Sequence, residues 1–337
     1  MAVDPKAGRV KDSAMATWLP RRRLGLVVTI LGLGLAFALP LGLSPYSVRI
    51  LTEVCFFATL ALAWNIIGGI TGYPSFGHVV FFGVGAYTVA ILVSEYAWPV
   101  PFALLAAVVI SVFYALLIGW AVLRLKGHYF AIATLGVAAA TQAFVAASPV
   151  FGGGRGYSVP ISALSNVQFY YLFLCLAVAT AILTVIILHS SFGLALMSIR
   201  EDEEAARSIG VSVVRYKVSA FVVSAIPVAI AGGLYAEWLS FVDAPSAFSI
   251  NYNLSMMAMA LVGGIGGVAG PILGAVALHL LNVGLWSTGS EFQLVMYGVV
   301  IVVVVLFLPY GIMSVIHSSN TESRWNRFKR QIKENRL

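Results

Sequence analysis

An all-α polytopic membrane protein, a bundle of about ten transmembrane helices, is the fold that this sequence predicts, and three observations predict it. Of its 337 residues, 60% are hydrophobic and 10% charged, where an ordinary soluble domain carries roughly 25% charge. The apolar residues come in runs, and one helical crossing of the ~30 Å hydrocarbon core takes about 20 of them. The basic residues, finally, segregate by side between the runs. A soluble globule would have to cover its surface with charge that this chain lacks.

Taken in order, the runs lie at about 24–43, 48–70, 76–95, 100–123, 128–147, 168–189, 216–238, 253–268, 270–286 and 292–309. The basic segment 1–23 precedes the first. That run begins at Leu24 and ends without a small-residue cleavage signal, so it reads as a retained span. The second to seventh are each long enough to cross. The eighth and ninth are short and divided only by the Gly267–Pro271 neighbourhood, so they read as two spans or as one broken hairpin, and the total is eight to ten. The basic tail 310–337 follows the tenth. Residues 24–309 are thus one transmembrane domain, with hydrophilic excursions at 148–167 and 190–217.

With both termini in the cytoplasm, the cytoplasmic segments hold Lys6, Arg9, Lys11, Arg21, Arg22 and Arg23, then Arg124 and Lys126. The excursion 190–217 adds Arg200, Arg207, Arg215 and Lys217, and the tail adds Arg324, Arg327, Lys329, Arg330, Lys333 and Arg336. Of the 20 basic residues, only Arg49 and Arg155 fall outside. This is the bias of the positive-inside rule, and it requires an even number of crossings. It also accounts for the net charge of +7 without a nucleic-acid partner.

Enzymatic chemistry finds no support. Cys55 and Cys175 sit inside apolar runs, which excludes a disulfide framework or a cysteine-rich metal site. There is no P-loop, no His-Glu-x-x-His and no Gly-x-Ser-x-Gly. The five histidines form no i, i+4 pair. Carboxylates cluster only in the run Glu201–Glu204, where a cytoplasmic loop would leave them solvated.

That loop is the most informative segment. From Arg200 to Ser208 it favours helix, with carboxylates early and Arg207 late as the helix dipole prefers, and Gly210 is a natural stop. Ala205, Ala206 and Ile209 would make a small, smooth face for another protein's groove. A short interfacial helix that merely joins two spans is the alternative.

Glu204-Ala205-Ala206-x-x-x-Gly210 resembles the Glu-Ala-Ala-x3-Gly signature of bacterial ABC-importer permeases, in the loop where such permeases dock on their ATPase. The downstream Ile-x-Leu-Pro part is not kept, and Pro227 is the nearest proline. More of the chain resembles one family, the branched-chain amino acid ABC transporter permeases of the LivM/LivH type. Its first signature is matched by residues 63–69, 72–78 and 81–87, its second by Lys126–Gly136. Residues 191–275 follow it almost continuously, including the glycine runs at 261–267 and 270–275. Many members carry Thr-Gly-Gly-x-Asp/Asn-Gly-Leu in the outer loop. Here Phe151, Arg155 and Tyr157 stand in a different pattern, which opens the choice of substrate.

Glycine crowds two hairpins, at 68–85 and 263–274, and both begin Gly-Gly-Ile-x-Gly. Glycine costs about 1 kcal/mol against alanine in a helix interior, so its repetition needs a reason. Close helix approach is one and a broken helix lining a cavity is the other. Gly72, Gly77, Gly263, Gly264, Gly267 and Pro271 are the candidate hinge and packing positions. Asn65, His78, Tyr87, Tyr129 and Thr134 are the candidate translocation path, although each polar residue among them could simply bond a neighbouring helix. Glu237 falls near an outer helix end, where snorkelling would keep its charge wet.

The resemblance implies a permease subunit of an ABC importer in the bacterial plasma membrane. Such a subunit binds no nucleotide; ATP and Mg²⁺ would sit on two partner ATPases, coupled through Arg200, Glu204, Ala205, Ala206 and Gly210. A second, homologous permease subunit would complete a hetero-dimeric pore, and an extracytoplasmic substrate-binding protein would deliver a small polar nutrient. A stand-alone secondary transporter or channel is the competing reading. It would require intramembrane ionisable residues, and these are few.

Overall fold

The computed structural model describes residues 32, 34–287, 298, 312 and 313. The chain divides into two compact units, Met1–Arg49 and Ile50–Leu337, and the side-chain contacts that follow lie within the second. The span expected at 292–309 and the basic segments at either end lie wholly or mainly outside the described residues, while of the one expected at 24–43 residues 32 and 34–43 are described, helical at 34–38 and closing in the 3-10 turn Leu39–Leu41.

Helix α1 (Pro45–Asn65) runs on into one π-helical turn, Ile66–Ile70. Then come α2 (His78–Ser94), α3 (Val100–Val122) and α4 (His128–Ala147). A short strand β1 (Tyr157–Ser158) precedes α5 (Asn166–Leu188), which opens on a capping box made by Ser165 and Gln168. Two short helices, α6 (Ser191–Glu201) and α7 (Glu203–Ser208), lead to the 27-residue α8 (Val213–Leu239). Strand β2 (Phe241–Val242), α9 (Ala244–Ala247), α10 (Ile250–Gly263) and α11 (Ala269–Ser287) complete the described order. Among the described residues, five helical stretches are long and apolar enough to cross a membrane: Pro45–Ile70 and helices α3, α4, α5 and α8. The chain is a multi-pass helical membrane protein by this composition. The expected stretches at 253–268 and 270–286 form a hairpin of two helices, broken at 264–268.

Helix α8 is central, packed along α2 and α3. Glycines bring its backbone against α2: a methyl group added at Gly85 would overlap the Ala229 carbonyl, and one at Gly232 the Phe82 carbonyl. The same device closes the α10–α11 hairpin, where a methyl at Gly263 would overlap the Gly270 carbonyl and one at Gly274 the Met259 carbonyl. In lipid, where burying apolar side chains gains little, such close packing is what drives helices together. Around the contact stand interlocked rings, among them Phe56, Phe82, Phe173, Tyr235 and Tyr252. The most apolar windows of α3, α4 and α5 are only 28% buried, against 67% for α8. Their bare apolar faces suit a lipid solvent and would not suit water.

The helix ends sort into two groups. At one end lie residues 66–78, 122–128 and 188–213, cross-linked by side chains. At the other, β1 pairs antiparallel with β2, Tyr157 opposite Val242 and Ser158 opposite Phe241.

Candidate functional site

Helices α6 and α7 make an elbow at the first of these ends. Ser190 starts α6 by accepting the Gly193 N–H at 3.2 Å. The expected single helix from Arg200 to Ser208 is broken at Asp202, which takes extended backbone angles. The reason is local: its carboxylate captures the N–H groups of Glu204 at 2.8 Å and Ala205 at 3.0 Å, and so caps α7 instead of continuing α6. These bonds, Ala205 first and then Glu204, hold the Asp202 carboxyl below the usual aspartate range. Gly210 ends the elbow at φ +90°, an angle that favours glycine.

Two side chains fasten the elbow to the bundle. Arg200 Nη1 donates to the carbonyl of Gly69, on the π-helical turn, at 2.7 Å. A methyl at Gly72 would stand 2.9 Å from Arg200 Cγ, so the small residue leaves room for the arginine stem. Beside this contact, Asn65 Oδ1 accepts the Gly266 N–H at 2.9 Å while its Nδ2 donates to the Gly267 carbonyl at 2.9 Å. One buried amide thus satisfies two backbone groups exposed by the α10–α11 break, which a membrane protein must pair internally. The two segments that begin Gly-Gly-Ile-x-Gly are joined to each other here.

The second fastening is Glu203. Its carboxylate accepts the Tyr73 hydroxyl, Arg207 Nη2 at 2.8 Å and Lys217 Nζ at 3.4 Å. The Lys217 side chain is only 1% exposed, and its ammonium stands 4.1 Å from the centroid of the Tyr73 ring. Burial pushes the Glu203 carboxyl up, but the Tyr73 hydroxyl, Lys217 and Arg207 outweigh it and hold the group below its ordinary range. Burial, and then the same carboxylate, raise the Tyr73 phenol. The expectation that residues 201–204 are all solvated is corrected at Glu203, whose side chain is 12% exposed. The expected face of Ala205, Ala206 and Ile209 is corrected as well. Ala206 is buried beneath the elbow, while Ala205 and Ile209 point outward. Glu204 points outward too, 81% exposed and 3.2 Å from Lys126 Nζ.

The path candidates separate. Asn65, His78 and Thr134 are buried near the elbow end. His78 Nε2 is 2.9 Å from Ser224 Oγ, and Thr134 Oγ1 accepts the Phe76 N–H at 3.0 Å. Gly77 packs on the Thr134 carbonyl, where a methyl would come within 3.1 Å. Tyr87 is buried at the opposite end, among Phe151, Tyr157 and Phe248, and Tyr129 is exposed. So Tyr87 joins the outer-loop candidates Phe151 and Tyr157, while Arg155 is exposed beside them. Of the hinge candidates, Gly264 turns the α10–α11 break at φ +113°, with Gly266 beside it, not itself a candidate, at +86°. Gly267 has open space where a methyl would go, and Pro271 lies buried in the first turn of α11. Glu237 is buried, with Oε2 lacking a hydrogen bond among the described residues, and does not snorkel. The sequence offered no signal for Tyr73, Glu203 and Lys217 as a group, because they come from three separated segments.

The sequence profile described as "Branched-chain amino acid transport system / permease component" matches residues 46–305. The chain is 30% identical over 310 residues to the high-affinity branched-chain amino acid transport system permease protein LivM of Salmonella typhimurium, covering 83% of this chain and 72% of that one. To LivM of Escherichia coli it is 28% identical over 324 residues, covering 87% and 75%. To LivH of Salmonella typhimurium, a second permease protein of the same kind of system, it is 23% identical over 291 residues, covering 76% and 91%.

Proposed function

The chain belongs to the family of branched-chain amino acid transport permease components, and from that premise we propose that it is the membrane-spanning permease subunit of an ABC importer for a small polar nutrient. A branched-chain amino acid is the first substrate to test, with other amino acids, related amides and small organic acids behind it. The subunit carries out no covalent chemistry. Two partner ATPases hold ATP and Mg²⁺, a homologous LivH-like permease completes the pore, and an extracytoplasmic binding protein delivers the cargo. The protein lies in the bacterial plasma membrane with about ten spans, its termini and the elbow in the cytoplasm.

The observation that carries this reading is the two-sided elbow. Outward it presents Glu204, Ala205 and Ile209; inward it is pinned by Arg200 to the π-helical turn after α1 and by Glu203 to α8. In this reading an ATPase closing on the outer side moves the elbow, and the inner fastenings hand that displacement to helices that switch access to the pore. Asn65, His78 and Thr134 then hold the moving helices in register, and the outer loop of Phe151, Arg155 and Tyr157 meets the binding protein.

The test is reconstitution of the chain in proteoliposomes with its partner permease, ATPases and binding protein, measuring ATP-dependent uptake of radiolabelled leucine. Glu204→Lys and Gly210→Pro are expected to leave insertion intact and uncouple hydrolysis from uptake. Leucine flux through this chain alone, without ATPase, would replace the proposal with a stand-alone transporter.

A further inference from the structure

Beside the elbow, a groove of about 340 Å³ opens between the end of α3 and the start of α8, lined by Trp120, Arg207, Val211, Ser212, Val213, Val214 and Arg215. Gly119 seats the two helices together there: a methyl at that position would stand 3.3 Å from Phe221 Cδ1 on α8. The Arg124 guanidinium lies over the Trp120 ring, 5.2 Å from its centroid. Within the elbow, Lys217 and Arg207 share the Glu203 carboxylate, and Lys126 stands against Glu204. Among the described residues, Arg124 and Arg215 have no carboxylate partner, and both are exposed. The groove therefore presents two unneutralised guanidiniums at its rim.

Its depth in the membrane follows from the helices. Trp120 is two residues from the end of an apolar span and Arg215 is in the first turn of another, which is the level of the headgroups, where tryptophan and arginine are favoured. Below Trp120, the exposed side of α3 continues as Phe113, Leu116 and Leu117, one apolar stripe running into the hydrocarbon. A ligand that fits is anionic at one end and has long apolar chains at the other.

We propose that this groove is a binding site for an anionic phospholipid of the adjoining leaflet. The headgroup phosphate sits between Arg124 and Arg215, and the acyl chains lie along the Phe113–Trp120 stripe. Basic pockets between helices at the membrane surface hold anionic lipid in this manner. The site needs only that the chain spans a membrane, so it stands apart from the transport reading, and its occupant would touch the elbow through Arg207.

The test uses the purified full-length chain, loaded with equal amounts of phosphatidylglycerol and phosphatidylcholine of identical acyl chains and examined by native mass spectrometry. Wild type is expected to retain phosphatidylglycerol in preference, with the preference falling about fivefold for each of Arg124→Gln and Arg215→Gln. Arg155→Gln, at the other end of the bundle, leaves it unchanged, and circular dichroism of all variants confirms the fold. Equal retention of the two lipids by wild type, or an undiminished preference in the double variant, overturns the proposal. Displacement of the lipid by inorganic phosphate alone would also overturn it, assigning the groove to a soluble anion. So would finding the groove covered by an ATPase and free of lipid in the assembled complex.

Discussion

Arg200 donates to the carbonyl of Gly69 across 131 positions of the chain, at 2.7 Å. The acceptor belongs to the π-helical turn that also sets Asn65 over the α10–α11 break, so the elbow, the end of α1 and the broken hairpin meet at one point. A charged donor on a backbone carbonyl is stronger than a neutral pair. Arg200→Gln is expected to lower ATP-driven uptake about tenfold while ATP hydrolysis by the assembled complex continues. The ratio of substrate imported to ATP consumed, measured in proteoliposomes, checks it. An unchanged ratio would detach Arg200 from coupling.

The Glu203 cluster predicts an asymmetry between its partners. Glu203→Gln leaves the buried Lys217 without its counter-charge, and removing one partner of a buried pair costs about 3–5 kcal/mol. Lys217→Met leaves Glu203 with Tyr73 and Arg207, so its cost should be about 1–3 kcal/mol. Unfolding midpoints in detergent should place Glu203→Gln well below Lys217→Met. The double variant should recover part of the loss. The reverse order would show that Lys217 owes its place to packing.

Two hinge glycines, both in the same five-residue run, should respond in opposite ways. Gly263→Ala forces a methyl onto the Gly270 carbonyl and should cost about 1–3 kcal/mol or prevent the hairpin from closing. Gly267→Ala meets open space at an ordinary backbone angle and should change stability by less than about 0.5 kcal/mol. Comparing membrane-inserted yield and thermal stability of the two variants decides it.

A pH prediction follows from the elbow's acids. The carboxyls of Asp202 and Glu203 are both depressed in the folded chain. A depressed acid contributes its stabilisation fully above the unfolded value, and loses it as pH falls through the folded one. Hydrogen-exchange protection of the Glu204 and Ala205 amides is therefore expected to hold from neutrality down to the ordinary carboxylate range and to fail below it. Asp202→Asn, still a good cap, should preserve the protection at neutral pH, and Asp202→Ala should remove it. Full protection in Asp202→Ala would show that α7 does not depend on its cap.

The sequence made the spans legible because an unbroken apolar run such as Val100–Val122 has few ways to satisfy its backbone in oil other than as a helix. The glycine hairpins were legible for a related reason: repeated glycine in a helical context signals backbone contact, and Gly85, Gly263 and Gly274 make it, whereas Gly232, which meets Phe82, lies outside both runs. The elbow's inner side was not legible. Glu203 and Glu204 are neighbours of one type, and only the turn imposed by the Asp202 cap sends one inward and the other outward. Lys217 reads in the sequence as one more basic residue at a span end, and its burial depends on Tyr73 and Glu203, brought from 144 and 14 residues away. Glu237 misled because its position near a helix end says nothing of which helices cover it.

Helix α8 runs unbroken for 27 residues, about 40 Å, from the Lys217 contact with the elbow to the strand pair that grips the opposite loop. The two faces of the membrane therefore share one beam, and its only proline, Pro227, sits near mid-length with no N–H to give to the turn before it. A protein built in this way does not need a relay of side chains to tell one compartment what has happened in the other: bending at that joint, or stiffening it, would be felt at both surfaces at once.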